Sequence, residues 1–406
     1  MTDATTAGPT SHSALRGWLG VSAITASLFV FLTTELMPVG LLTPISSSLD
    51  IAVGTVGLMV TLYGVSAGLG VAFIVAWTRH LDRRVLLSTL LAILALGNFV
   101  TAISPNYALI LSTRLVMGFA NGVFWAIGVS MAMRIVEERH ASRAAAIVMS
   151  GISIATVVGI PLGTIVENLT SWRITFGIWA GLGVAVFLAV AVLIPSLPSD
   201  NAVSVREVFG LPLNNVRLRL VLLTVVFFVL GHFAAYTFVR PFMEESISRP
   251  AFITVSLMIF GVGGAIGNFV AGHTVTKNLR ATFLVGCTGL VASLLLLLAI
   301  GHGPAGLLVS LALWGLSFGA VQLSQVNMTL AAAPETFEAA MSLNTMAYNT
   351  CIALGALVGG LFADGLGVRS VVWFGVALTA ASLLVTLSTR QTTTDAVPDE
   401  EYATAG

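Results

Sequence analysis

Of the 18 acidic residues in this 406-residue chain, one lies deep inside a long apolar run: Glu35, in FLTTELMPVGLL (31–42). Of the 18 basic residues one is placed likewise, Arg114 in LILSTRLVMGFANGVFW (109–125). The remaining acids fall in tails, loops or the ends of apolar runs. A carboxyl taken out of water has its neutral form favoured, because the ionised form loses its solvation. Such a group can take up and give back a proton near neutral pH. An arginine cannot shed its charge, so Arg114 has to meet water, a partner or backbone carbonyls. Together the two residues suggest reversible proton carriage, with Arg114 near Glu35 and changing that group's proton affinity with conformation. The structural alternatives are a Glu35 held neutral or bonded to Thr33 or Thr34, and an Arg114 that fixes helix packing or reaches toward the membrane surface.

A second group of polar residues could bind a solute. His232 and Tyr236, in VLGHFAAYTFVRPF (229–242), are four apart and share one helix face. Both can donate and accept hydrogen bonds, and His232 is also a candidate second proton site; the plain alternative is a satisfied core histidine. Tyr63, Asn121, Trp125, Gln322, Gln325, Asn327, Asn344 and Asn349 stand in other apolar runs. Amides in such settings pair with each other or with a ligand, and as a set these predict a polar cavity.

The elements that must position these residues are membrane spans. Hydrophobic residues make up 57% of the chain and charged ones 9%, with mean hydropathy +0.98. Soluble domains carry about 25% charged residues, so a water-soluble fold is excluded. A spanning helix needs about 20 apolar residues, and twelve such stretches occur, at 19–44, 51–77, 85–103, 107–134, 143–166, 173–195, 218–240, 251–272, 281–301, 304–331, 337–362 and 369–389. Runs such as VLLSTLLAILALGNFV (85–100) are apolar on every side, unlike the alternating segments of a barrel. The expected class is therefore an all-α membrane protein. The net charge is zero, which implies no nucleic-acid partner. Cys287 and Cys351 give neither a metal spacing nor a disulfide framework, and nothing calls for a cofactor. The N-terminus lacks the pattern of a cleaved signal.

An even number of spans puts both termini on one side. With that side cytoplasmic, Arg16, Arg79, Arg83, Arg84, Arg134, Arg139, Arg143, Arg206, Arg217, Arg219, Lys277, Arg280 and Arg390 face inward, and only Arg173, Arg240, Arg249 and Arg369 face outward. The asymmetry follows the positive-inside rule. The polar interval 196–217 divides the chain into bundles of six spans at 19–195 and 218–389, with tails at 1–18 and 390–406. The halves echo one another. GIPLGTIVENLTSWR (159–173) and GALVGGLFADGLGVR (355–369) carry glycine at the first and fifth places and arginine at the last, and a basic turn, LDRR (81–84) or TKNLR (276–280), follows the second span of each half. Such a repeat suits alternating access around a central site; the alternative is a duplicated scaffold without transport. In span 5, MSGISIATVVGIPLG (149–163) places Gly151, Ala155, Gly159 and Gly163 on one face with Pro161 between the last two. That predicts a close helix seam with a bend, either one that controls leak or ordinary packing. Pro38 and Gly40 should loosen span 1 just beyond Glu35.

These segments resemble the major facilitator superfamily, and within it the twelve-span drug:proton antiporter family, most of all bacterial sugar (arabinose-type) efflux transporters and chloramphenicol exporters. TTELMPVGLL (33–42) resembles the first-span signature, its acid carried by Glu35. RLVMGFANGVFW (114–125) resembles the fourth-span motif whose arginine the family implicates in proton transfer. Gly151 with GIPLG (159–163) resembles the fifth-span antiporter motif, SWRITF (171–176) the entry to span 6, and GHFAAYTFVRPF (231–242) the seventh span of sugar exporters. The loop after span 2 departs from the family's Gly-x-Leu-Ala-Asp-Arg-x-Gly-Arg-Arg. It reads AWTRHLDRR (76–84), with Arg79 where the aspartate belongs, Asp82 at the second glycine, and Arg83 and Arg84 retained. The latch attributed to that aspartate is then absent or rebuilt through Asp82.

The resemblance implies two pseudo-symmetric six-helix bundles in the bacterial inner membrane, acting as a monomer. The expected function is proton-coupled export of a small neutral solute, sugar-like or nucleoside-like, or of a drug such as chloramphenicol. Uptake or facilitated diffusion is the rival within transport. An embedded enzyme or receptor is the rival from another class, but neither catalytic clusters nor a sizeable soluble domain is present.

Overall fold

The structure is a computed structural model and describes residues 11–77, 81–197, 210–211, 215–247 and 249–388. Much of the expected tails and linker, with Arg79, Arg206 and Arg390, lies outside the described residues. The first half comprises α1 (Ser11–Leu49), α2 (Val53–Trp77), α3 (Arg83–Ile103), α4 (Tyr107–Arg134), α5 (Ala141–Ile154), a π-helical turn (Ala155–Gly159), α6 (Ile160–Leu169) and α7 (Trp172–Leu193). The second half comprises α8 (Val216–Thr237), α9 (Val239–Glu244), α10 (Pro250–Ile300), α11 (Pro304–Ala332), α12 (Phe337–Leu366) and α13 (Val368–Ser388).

Among the described residues, eleven helical segments are long and apolar enough to cross a membrane. The sequence offers twelve spans, and α10 accounts for the difference. Its 51 residues would be about 76 Å long as one rod, more than twice a hydrocarbon core of about 30 Å. Asn278 breaks it, with φ −157° and ψ 93°. Its Oδ1 accepts from Ala281 N at 2.9 Å and so caps the segment that follows.

Asp82 does the same at the start of α3, accepting from Arg84 N at 2.8 Å and Val85 N at 3.2 Å. Asn106, Ser171 and Asn215 cap α4, α7 and α8. Between caps the helices are apolar all round. Leu96, Phe99, Phe269, Val285 and Leu361 point outward, as they must where the solvent is lipid.

The sequence repeat has structural content. Arg173 donates to the carbonyls of Ser104 (2.6 Å) and Ala102 (3.5 Å) at the end of α3. Arg369 donates to Leu298 near the end of α10 (2.9 Å). Arg84 holds the Ala191 carbonyl at the end of α7, and Arg280 holds Thr386 (2.9 Å) and Leu387 (3.3 Å) at the end of α13. Each pair lies at one and the same offset along the chain. These carbonyls belong to last helical turns and lack helical donors, so two arginines in each half tie its helices together.

Each half has its own apolar core, one built on Phe31, Phe124, Phe176 and Trp179, the other on Phe228, Phe260, Phe283 and Trp314. The halves meet along α2 with α12, and along the π turn and α6 with α10.

Candidate functional site

Glu35 lies in the middle of α1 and is 3% exposed. Its Oε2 accepts from Asn121 Nδ2 of α4 at 3.0 Å. The neighbouring Leu36 and Val39 share an apolar cluster with Phe233 and Tyr236 of the second half, so this stretch of α1 faces across the interface. Two tyrosines come within electrostatic reach of Glu35, Tyr63 of α2 and Tyr348 of α12. Both hydroxyls are buried without a hydrogen-bond partner, as is Asn121 Oδ1. A lone carboxyl, a neutral amide and two unused phenols, drawn from both halves, form the centre of the site.

Arg114 is fully buried, but its partner is not the Glu35 carboxyl. Nη1 donates to the Thr34 carbonyl at 2.9 Å, while Nε and Nη2 have no partner. The guanidinium lies over the Phe176 ring, 4.9 Å from its centroid. The reason is covalent. Pro38 sits inside α1 and has no N–H to give the carbonyl four residues back, which is Thr34. Arg114 supplies the missing donor. Asn98 Nδ2 adds a bond to Thr34 Oγ1 at 3.1 Å, so the residue before Glu35 is held by α3 and α4 together.

His232 and Tyr236 lie on one face of α8, but in an aromatic box. His232 stacks on Phe318 with centroids 3.9 Å apart and on Tyr236 at 5.4 Å; Tyr236 stacks on Phe260 at 4.6 Å. Trp314 Nε1 donates to His232 Nδ1 at 3.0 Å. A nitrogen that accepts a hydrogen bond carries no proton, so the imidazole is neutral here.

The remaining amides do not gather at one point. Gln325 donates to Asn344 Oδ1 at 2.6 Å and Thr329 Oγ1 at 3.1 Å. Asn327 and Asn349 donate to carbonyls of their own helices, Leu323 and Thr345, both at 2.9 Å. Gln322 and Trp125 are half-buried.

The small-residue face of span 5 packs on α1. A side chain at Gly159 would put its Cβ 2.4 Å from Thr33 Oγ1, and Gly151 lies against Thr25, whereas Gly163 meets Met37 and Thr175 at ordinary distance. Pro161 removes the N–H that Val157 would use, and the chain answers with the π turn.

Asp82, Arg83 and Arg84 lie away from the centre, at the end of the bundle that carries the termini. Asp82 Oδ2 accepts from the Ser196 hydroxyl and Arg83 N donates to the Leu197 carbonyl at 2.9 Å. That hydroxyl, aided by backbone N–H groups, holds the Asp82 carboxyl below the usual carboxylate range.

Two residues were not singled out by their sequence. Tyr348 adjoins Asn349, and an aromatic beside an amide in an apolar run looks like any core residue. Trp314 offered no signal at all. A third, Arg240, was assigned to the outer boundary of span 7. There it is buried, 5% exposed, and bonded to the first half.

A duplicated membrane body, helical through its described residues, with Glu35, Asn121, Tyr63 and Tyr348 drawn from both halves at its centre, defines a transporter rather than an enzyme. The sequence profile of the Major Facilitator Superfamily matches residues 23–349. The chain belongs to that superfamily. It is 30% identical over 359 residues to a probable sugar efflux transporter of Helicobacter pylori (strain ATCC 700392 / 26695), covering 88% of this chain and 92% of the relative. It is also 30% identical over 370 residues to the uncharacterized MFS-type transporter YtbD of Bacillus subtilis (strain 168), covering 90% and 93%. Two solved structures share the fold at 12% identity. The nucleoside transporter NupG superposes with TM-score 0.74 over 91% of this chain and 99% of its own. A bacterial homologue of the human lysosomal transporter Spinster, inward-facing and unoccupied, gives 0.70 over 94% and 98%.

Proposed function

We propose that this protein exports a small neutral solute in exchange for protons, by alternating access between its halves. Glu35 is the proton carrier. The observation that carries this reading is the company Glu35 keeps: among the described residues its hydrogen-bond partner is the neutral amide of Asn121. A carboxylate clamped by a cation would stay ionised through the cycle. Glu35 can exchange its proton for the loss of one hydrogen bond. Tyr63 and Tyr348 bring unused hydroxyls to the same place, and such groups suit the hydroxyls of a sugar-like solute. The Helicobacter pylori relative is named a probable sugar efflux transporter, which points the same way, and the nucleoside transporter NupG shares the fold.

In this reading the protein is a monomer in a bacterial inner membrane, with both termini in the cytoplasm, the orientation that the distribution of basic residues favours. Protons arriving from outside neutralise Glu35, and their release inside is linked to outward movement of the solute. Substrate-induced proton flux in proteoliposomes, over a panel of sugars, nucleosides and antibiotics, tests this. Glu35→Gln is expected to abolish coupled flux while the protein remains folded and monodisperse. Export against a gradient by that variant would overturn the assignment.

A further inference from the structure

α2 and α12 bring the halves together at the level of two tyrosines. A Cβ added at Gly64 of α2 would come 3.0 Å from the Asn349 carbonyl and 3.0 Å from the Ala353 Cβ of α12. The chain neighbours of these contact points are Tyr63 and Tyr348. Tyr348 is tied to the second half by its ring, which lies edge-on to Phe228 with centroids 6.5 Å apart and to Phe233 at 6.1 Å. It packs on the apolar cluster that also holds Leu36 and Val39 of α1. Its hydroxyl is buried, has no hydrogen-bond partner and comes within electrostatic reach of Glu35. Other mid-span polar groups of the second half are already engaged: His232 with Trp314, Gln325 with Asn344, and Asn349 with the Thr345 carbonyl. The charged and titratable groups that face α1 are few. Tyr63 comes from α2, and Arg114, from α4, is bonded to the Thr34 carbonyl. Arg240, from α9, meets the Gly40 carbonyl, which Pro44 leaves without a helical donor, and is paired with Glu167 of α6 and with Glu244. Arg143 of α5 and Arg173 of α7 lie over Trp18 and Trp172 at helix ends. His232 and Tyr236 of α8 are held in the aromatic box, and Cys351 lies one turn from Tyr348.

We propose that Tyr348 is the residue through which the second half senses the charge on Glu35; the proposal rests on Glu35 being the proton carrier, as argued above. The ionised carboxylate accepts from the Tyr348 hydroxyl, and a proton arriving on Glu35 weakens and releases that bond. A hydrogen bond to an ionised acceptor is about twice as strong as one to a neutral group, so the attraction between α1 and α12 rises and falls with the charge. Tyr348 keeps its own proton throughout. Asn121 cannot play this part, because it shares a half with Glu35 and stays beside it whichever way the halves move. Tyr348 crosses the seam. Its ring is gripped by Phe228 and Phe233, so a pull on the hydroxyl is carried to α8 as well as α12. A solute hydroxyl that takes the Tyr348 hydroxyl competes with Glu35 for it, which links solute and proton at one side chain. A buried hydroxyl without a partner is costly, and the ionised state of Glu35 supplies the partner that Tyr348 lacks here.

The test is a distance measurement between the halves of the full-length protein in lipid nanodiscs, without solute or proton gradient. Spin labels on cysteines at the exposed positions Ser48 and Ser246 report it; the native thiols Cys287 and Cys351 are buried. In the labelled parent, the ratio of short- to long-distance populations should change about ten-fold or more between about pH 5 and about pH 8. Glu35→Gln should abolish that change. Tyr348→Phe keeps the ring against Phe228 and Phe233 and loses only the hydroxyl, and its change should fall below about two-fold. Tyr63→Phe removes the matching hydroxyl from the half that holds Glu35 and should keep the pH response. A full response in Tyr348→Phe, or an equal loss in Tyr63→Phe, would overturn the role of Tyr348 and leave Glu35 as the carrier. A response that persists in Glu35→Gln, or a parent that shows none, would instead count against the proton-carrier reading and remove this inference with it.

Discussion

Arg114 and Pro38 are joined through one carbonyl oxygen: the proline denies Thr34 its helical donor, and the arginine, 80 residues along the chain from Thr34, provides one at 2.9 Å. The contact fixes the backbone immediately before Glu35. No ion pair joins Arg114 to Glu35 among the described residues, so the influence of Arg114 on the carboxyl runs through the position of α1 rather than through direct charge pairing.

The consequence is a non-additive pair of substitutions. Arg114→Met leaves the Thr34 carbonyl buried and unpartnered, a loss of about 1–3 kcal/mol, partly offset by removing a buried charge that has two N–H groups unused. Pro38→Ala gives Thr34 a donor within its own helix. Thermal unfolding in detergent should therefore show a smaller cost for Arg114→Met in the Pro38→Ala background than in the wild type. Equal costs in both backgrounds would show that the backbone bond is not what Arg114 contributes.

The Trp314–His232 bond separates two roles for the histidine. If His232 serves to organise the aromatic box, His232→Gln should keep substrate-driven proton flux and alter apparent substrate affinity. Trp314→Phe, which strips the buried Nδ1 of its partner, should lower stability by about 1–3 kcal/mol. A second proton site would instead appear as loss of proton flux in His232→Gln with binding retained.

The fold was legible because the bilayer demands long apolar helices, and the repeat because function-neutral chemistry recurs in it. Arg173 and Arg369 stand at the same place in two 15-residue runs and cap the carbonyl ends of equivalent helices. Asp82 and Asn278 likewise both cap the helix that follows the second span of their half. Glu35 was legible as a lone charge in an apolar run, and Asn121 as an amide in another. Their contact was not, because the two lie 86 residues apart and sequence spacing says nothing of pairing between helices. The partners of Arg240 were hidden for a related reason. An arginine at a span end satisfies the hydropathy pattern whether it faces water or turns inward to a proline-freed carbonyl and Glu167.

Asp82 lies outside the spans, and its hydrogen bonds predict a dependence of stability on pH. The Ser196 hydroxyl, with the backbone N–H groups of α3, holds its carboxyl below the usual range. An unfolded-chain aspartate titrates near about 3.9. A depressed folded value adds stability that is fully present above that point and fades as pH falls through the folded value. Between pH 5 and 8 the contribution should be flat. Asp82→Asn keeps a capping oxygen but not the charge, so its deficit relative to wild type at pH 7 should begin to shrink as the pH falls below about 4. Asp82→Ala also loses the cap, for about 0.5–2 kcal/mol at neutral pH, and should retain part of its deficit in acid. Apparent unfolding temperatures of the three proteins in micelles at pH 7, 5 and 3 check this. An Asp82→Asn deficit that widens as the pH drops would mean that the carboxyl is bound more tightly protonated than ionised, the reverse of the arrangement described.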